Sequence, residues 1–137
     1  MNTSIKKYLS ESSFTSFNLK SIIFDMDGVL FDTMPNHASA WIKSMSKHGV
    51  IFSEDDAYIH EGRTGKGTIQ FAIYKQYGRE ATEEEINAIY TEKKYIFESL
   101  PAGEVMDGAY SFLENITKLG IKSMIVTGSK QAGSLSR

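Results

Sequence analysis

The feature that most constrains this chain is a change of periodicity. Residues 19–24 (LKSIIF) form a short, nearly continuous apolar run that breaks off at Asp25-Met26-Asp27-Gly28. Such a run suits a parallel-sheet strand covered on both faces. From residue 34 to residue 97 only helical spacing follows. Strand-like character returns at residues 121–126, which stop at Thr127-Gly128-Ser129. Strand, helices, then a helix leading into a strand make an α/β chain interrupted by a helical insert. The expected organisation is a partial doubly wound α/β core at 19–32 and 104–137, with an α-helical cap at 33–103. The Ser- and Thr-rich residues 1–18 read as a flexible leader.

The helical reading rests on named positions. Met34, Ala38, Trp41, Ile42 and Met45 recur on one stripe that ends near Gly49. Ser53 with Asp56 forms a capping-box pattern opening a short helix through Ile59, and Thr82 with Glu85 forms a second. The second precedes Ile86, Ile89, Tyr90, Ile96 and Phe97, and its acidic run Glu83-Glu84-Glu85 complements a helix dipole. Between the two boxes, residues 61–67 (EGRTGKG) read as a glycine-rich loop, followed by a helix over 69–77 that Gly78 stops. Asp107 is expected to cap a helix carrying Ala109, Phe112, Leu113, Ile116 and Leu119, with Gly120 at its end.

Composition mainly excludes. The absence of cysteine removes disulfides, thiolate metal sites and a cysteine nucleophile. A net charge of −2 argues against broad nucleic-acid binding. No apolar run approaches the roughly 20 residues that span a bilayer, and the first residues lack the continuous apolar stretch of a secretory signal. A cytoplasmic protein with neither nucleic-acid nor membrane partners is expected. His48 and His60 carry no signal beyond surface or helix-end placement.

Asp25 and Asp27 stand two residues apart at the carboxyl end of the first strand, the end that borders the ligand crevice in open parallel sheets. Two such close carboxylates repel one another and favour a cation. Mg²⁺ fits, because it takes one or two carboxylates together with substrate phosphate. By itself a bare D-x-D reads more simply as an acidic turn.

The full string IIFDMDGVLFDT, residues 22–33, closely resembles the first motif of the haloacid dehalogenase superfamily, and Thr127-Gly128-Ser129 resembles its second. The resemblance covers residues 19–129 and is greatest to the β-phosphoglucomutase-like group. It implies Mg²⁺-dependent phosphoryl chemistry on a small phosphorylated substrate. Asp25 would be the nucleophile, Asp27 the general acid/base, and both would belong to the metal site, Asp27 through its backbone carbonyl. The Thr127 hydroxyl and the amides of Gly128 and Ser129 would cradle phosphate oxygens.

His37 and Trp41 sit where that group commonly has His and Trp. Trp41 reads more simply as core, while His37 is either an exposed helix residue or a hinge-side group near the active site. The loop holding Glu61, Arg63 and Lys66 resembles the group's substrate-specificity loop, with a solvated charged turn as the plainer alternative. Sugar-phosphate mutases of the group place an Arg three residues beyond the loop glycine; counted from Gly65, that position is Thr68. The string HEGRTG looks closer to hydrolytic members, including an inorganic pyrophosphatase. A sugar-phosphate mutase is the alternative.

The family pattern also contains a later Lys and a later acidic pair, neither of which is recognisable after Ser129. The expectation is therefore an N-terminal part of a phosphohydrolase, nearly inactive alone and poor in Mg²⁺ affinity. The competing expectation is an inert or binding-only fragment. A receiver domain, which also pairs acids with Thr or Ser, is disfavoured by the long helical insert.

Overall fold

The computed structural model describes residues 3–16 and 18–128, so Ser129 lies outside the described residues. The leader is not irregular throughout. Residues Thr3–Glu11 form helix α1, which buries none of its residues and so belongs to no core.

The two apolar runs become strands. Strand β1 (Ser21–Phe24) is followed by a tight loop in which the Met26 carbonyl accepts from the amides of Leu30 and Phe31 at 3.0 and 3.1 Å. Met26 and Leu30 are buried and anchor this loop from below. The left-handed backbone of Gly28 (φ 70°) lets its own amide reach the Phe31 carbonyl at 2.8 Å. The chain then leaves through a two-residue strand, β2 (Phe31–Asp32).

Four helices follow: α2 (Met34–Lys47), α3 (Glu54–Ile59), α4 (Gly65–Tyr77) and α5 (Glu83–Ser99). Both capping boxes are present with reciprocal hydrogen bonds. The expected stripes turn inward: Ala38 and Met45 of α2 pack with Val50, Phe52, Ala57, Ile69, Ala72, Ile73, Ala81, Ile86 and Ile89 in one cluster, edged by Trp41, Ile42, Phe71 and Tyr90. The glycine-rich loop is shorter than its composition predicts. Thr64 is the N-cap, its side chain accepting from the Gly67 amide, so Gly65 to Gly67 already form the first turn of α4. Gly65 allows this because its Cα lies against Tyr90, where an added Cβ would meet the ring at 2.4 Å.

The chain returns through β3 (Glu104–Val105), which pairs antiparallel with β2. The entry and exit of the helical insert therefore run side by side. A Cβ on Gly103 would come within 2.7 Å of the Asp32 carbonyl oxygen, so the two connections approach this closely only with glycine there. Asn36 adds a side-chain hydrogen bond to the Pro101 carbonyl at 2.8 Å.

Helix α6 (Ala109–Lys118) and strand β4 (Lys122–Ile125) complete the described chain. Asp107 does not cap α6. Gly108, in a left-handed conformation, is the N-cap, and no side chain closes that end. Strand β4 lies parallel to β1, with Ser21 opposite Lys122 and Phe24 opposite Ile125. Helix α6 packs under one face of this sheet, where Phe112 meets Phe24 edge-on at 6.1 Å. The result is an α/β fold with a parallel sheet and a helical insert after the first strand. Among the described residues no helix is long and apolar enough to cross a membrane.

Candidate active site

Parallel pairing of β1 with β4 carries the loops after both strands to the same edge. Asp25, Asp27, Thr127 and Gly128 consequently line one cleft of about 490 Å³, whose opposite wall comes from α2, α3, α4 and α5. Residues a hundred positions apart in sequence meet there because each follows a strand of the same sheet.

The two carboxylates differ in setting. Asp25 is exposed at the strand end, and one of its oxygens accepts from the Met26 amide at 2.7 Å. Asp27 has a side chain only 11% exposed, and its Oδ1 accepts from the Thr33 hydroxyl at 2.6 Å. Thr33 is the N-cap residue of α2, yet makes no side-chain cap bond because its hydroxyl is committed to Asp27. The first turn of the insert is thereby tied directly to the loop after β1.

His37, one turn further along α2, presents Nε2 to Asp27 Oδ1 at 3.5 Å. At that separation Nε2 is buried and makes no hydrogen bond. Its other ring nitrogen, Nδ1, lies 3.0 Å from the Lys93 ammonium of α5. An ammonium has only donors, so Nδ1 accepts and the proton of a neutral ring sits on Nε2, facing Asp27. Burial, followed by the Lys93 charge, pushes the His37 pKa down, with Asp27 opposing them. His37 is thus a neutral donor at neutral pH.

Lys93 was not among the expected site residues. It is 6% exposed, and its ammonium stands over the rings of Phe97 and Trp41 at 4.7 and 5.3 Å. Burial pushes its pKa down to about 8, against the pull of Asp27 and Glu61. The signal was present in the sequence: Lys93 falls on the same α5 stripe as Ile86, Ile89 and Ile96, all buried. A lysine on an apolar stripe either snorkels outward or carries a charge into the interior; this one goes inward.

The loop between α3 and α4 delivers Glu61 and Arg63 to the cleft, as expected. Lys66 does not reach it. Its ammonium pairs with Glu83, drawn to the acidic first turn of α5, and it is absent from the cleft wall. Further residues line the cleft without having been anticipated. Among them are His60, whose ring lies 3.8 Å from that of Phe71, and the α5 side chains Lys94 and Glu98. Thr68 lines it as well, but is buried and returns its hydroxyl to the Thr64 carbonyl at 3.3 Å. The cleft thus mixes carboxylates with cations, which suits a polyanion accompanied by a metal ion. Among the described residues no three His, Asp or Glu side chains gather closely enough to hold a metal by themselves.

Comparison with known proteins agrees with this geometry. A family model described as haloacid dehalogenase-like hydrolase matches residues 19–134. The chain is 32% identical over 109 residues to hexitol phosphatase A of Escherichia coli (strain K12), covering 79% of this chain and 48% of that protein. Among solved structures it is similar to a proposed β-phosphoglucomutase from Bacteroides vulgatus, at 46% identity and TM-score 0.86, covering 97% of this chain and 55% of the other. A β-phosphoglucomutase from Clostridium difficile shares the fold at 24% identity and TM-score 0.71, over 86% of this chain and 55% of that one. The chain spans about half the length of these relatives.

Proposed function

The chain belongs to the haloacid dehalogenase-like hydrolase family, and from that premise we propose that it carries the nucleophile and cap of a Mg²⁺-dependent phosphohydrolase. The observation that carries this reading is the meeting of Asp25 and Asp27 with Thr127 and Gly128 in one cleft, at the carboxyl ends of two parallel strands.

In this reading Asp25, the exposed carboxylate, attacks phosphorus in line and forms an aspartyl-phosphate as the leaving oxygen departs. Asp27 donates a proton to that oxygen, then takes one from the water that hydrolyses the intermediate. The Thr33 hydroxyl fixes one Asp27 oxygen, and His37, oriented by Lys93, faces the same atom with Nε2 at 3.5 Å. These contacts orient the acid/base from the cap side, so movement of the cap relative to the sheet would reposition it. Thr127 and Gly128 would bind the phosphoryl oxygens. Among the described residues nothing lies within 4 Å of a Cβ added on Gly128, which leaves phosphate room to approach its backbone. Ser129 would join them.

The donor set suits magnesium: the Asp25 carboxylate and the Asp27 backbone carbonyl are hard oxygen donors, and substrate phosphate would add to them. Asp25 and Asp27 would hold the ion, which would neutralise charge on the transferring oxygens when bound.

For the substrate, Glu61 and Arg63 beside Lys93 and Lys94 favour a compact polyanion such as pyrophosphate, bound with its metal. A phosphorylated hexitol or hexose is the second reading, and the name of the Escherichia coli relative favours it.

The experiment is a chimera: residues 1–137 fused in front of the unmatched remainder of the Bacteroides vulgatus relative, assayed on pyrophosphate, hexose phosphates and hexitol phosphates. The chimera is expected to hydrolyse at least one of them only with Mg²⁺. Asp25→Ala should cost on the order of 10⁴-fold or more in kcat, and Asp27→Asn about 10²–10⁴-fold. Turnover that survives Asp25→Ala would overturn the mechanism. Preference for pyrophosphate that vanishes in Glu61→Ala would select the first substrate reading.

A further inference from the structure

Arg63 lines the cleft, yet among the described residues its guanidinium makes no ion pair and no side-chain hydrogen bond. Helix α4 holds it instead. Thr64 is the N-cap, so Arg63 precedes the helix, and its side chain lies back along the first two turns. The stem crosses Gly67, where an added Cβ would meet Arg63 Cγ at 3.0 Å and Cδ at 3.3 Å. The guanidinium carbon then stands over the Phe71 ring, 5.6 Å from its centroid. Gly67 and Phe71 are four residues apart and share one stripe of α4. A second cleft residue uses the same ring: His60 lies 3.8 Å from Phe71, and its carbonyl accepts from the Arg63 amide at 3.2 Å. Lys75 also stands 5.6 Å from that ring, but its ammonium is committed to Asp56 at 2.7 Å.

We propose that Phe71 is a positioning residue which, with the bare Gly67, forms a track along α4 that aims Arg63 at the anionic part of the substrate. Arginine is a long side chain whose ordering opposes binding, so a guanidinium already placed in the free protein loses less when the ligand arrives. The manner of holding matters as much. An ion pair would consume N–H donors and cancel the charge, whereas an aromatic ring takes the flat face and leaves the donors at the edge of the guanidinium for an anion. Glu61, two residues away in the same loop, makes no such pair with Arg63. Phe71 is suited to the task because it packs at the edge of the insert's core, which fixes the ring from behind. The identity of the anion comes from the phosphohydrolase reading, on which this role in binding rests; the stack of Arg63 and His60 on Phe71 is independent of it.

The test is a double-mutant cycle in the chimera described above, read in KM and kcat for the substrate it hydrolyses. Phe71→Leu should raise KM roughly three- to tenfold with kcat little changed, and Phe71→Tyr, which keeps the ring, should restore it. In an Arg63→Ala background Phe71→Leu should have no further effect, because Phe71 acts through Arg63. Gly67→Ala should raise KM as well, by displacing the Arg63 stem, while urea unfolding shows no loss of stability, since alanine is the better helix former. NMR of the Arg63 δ-methylene should show an upfield ring-current shift that Phe71→Leu abolishes. An unchanged KM in Phe71→Leu, losses that simply add to those of Arg63→Ala, or an Arg63 resonance indifferent to Phe71 would each overturn the proposal. A chimera that hydrolyses nothing would count against the phosphohydrolase reading, and the same cycle is then read by calorimetry in the Kd for pyrophosphate with Mg²⁺. Coupling of Phe71 to Arg63 in that Kd would uphold the positioning role, and absence of binding or of coupling would overturn it.

Discussion

Helices α2–α5 and the sheet β1–β4 both place Ile and Met at their centres, and these residues meet opposite fates. Met45, Ile69 and Ile73 are at most 1% exposed, enclosed by neighbours from three or more elements. Ile23 and Met124 are 65% and 61% exposed despite lying side by side in a regular strand pair. The helical insert closes its core within about 70 consecutive residues, because short connections let each amphipathic helix find the next. Among the described residues the parallel sheet has two strands with one helix against one face, and such a sheet does not do this. The insert is therefore an independent source of stability, and the sheet carries Asp25 and Thr127 to the cleft from strand ends that are themselves largely exposed. Thr33 and His37 bridge the two regions by approaching Asp27, with Lys93 behind His37.

The contrast predicts its own largest mutational effect. Met45→Ala, deep in the insert, should destabilise the chain by roughly 2–5 kcal/mol, while Met124→Ala in the sheet should change stability by less than about 0.5 kcal/mol. Urea unfolding followed through the single tryptophan, Trp41, compares them directly. Equal effects would mean that the sheet is as fully packed as the insert. The connection between the regions comes next. Gly103→Ala forces a Cβ against the Asp32 carbonyl, so it should cost about 1–3 kcal/mol and spread β2 from β3. A neutral outcome in the same unfolding assay would show that the paired connections are looser than their geometry.

The smallest effect concerns the buried cation that joins the insert to Asp27. Lys93 has a folded-state pKa near 8, below its ordinary 10.5, so its charge opposes folding. That cost is fully present below pH 8 and fades as pH rises from 8 towards 10.5. An NMR titration of its ε-methylene should show a midpoint near 8. Asp27→Asn should lower the midpoint further, because Asp27 supports the ammonium. A midpoint near 10.5 would place Lys93 in solvent and break the bridge.

Much of this arrangement was legible in the sequence, and the misses have physical causes. The apolar stripes of α2 and α5, both capping boxes and the two strand runs each express a local rule, and the structure keeps them. Strands β2 and β3 were not legible, since two residues carry no periodicity and their pairing depends on Gly103 meeting Asp32 across the whole insert. Asp107 looked like a cap until the left-handed Gly108 took that position. Asp25 and Asp27 were singled out from one continuous string, and both line the cleft. Lys66 was assigned by proximity to the loop glycines, but a helix turn and the acidic start of α5 carry it elsewhere. Lys93 was overlooked because lysine ordinarily marks the solvent side of a helix. Only its place between Ile89 and Ile96 betrays the contrary.

A helical insert with a closed core and a parallel sheet with an exposed face line one cleft. Hydrogen exchange across the purified chain tests it most directly, because amide protection reports local opening segment by segment. The account predicts slow exchange in the interiors of α2, α4 and α5 and fast exchange in β1 and β4. Uniformly slow exchange, with the strand amides as protected as those around Met45 and Ile73, would contradict it.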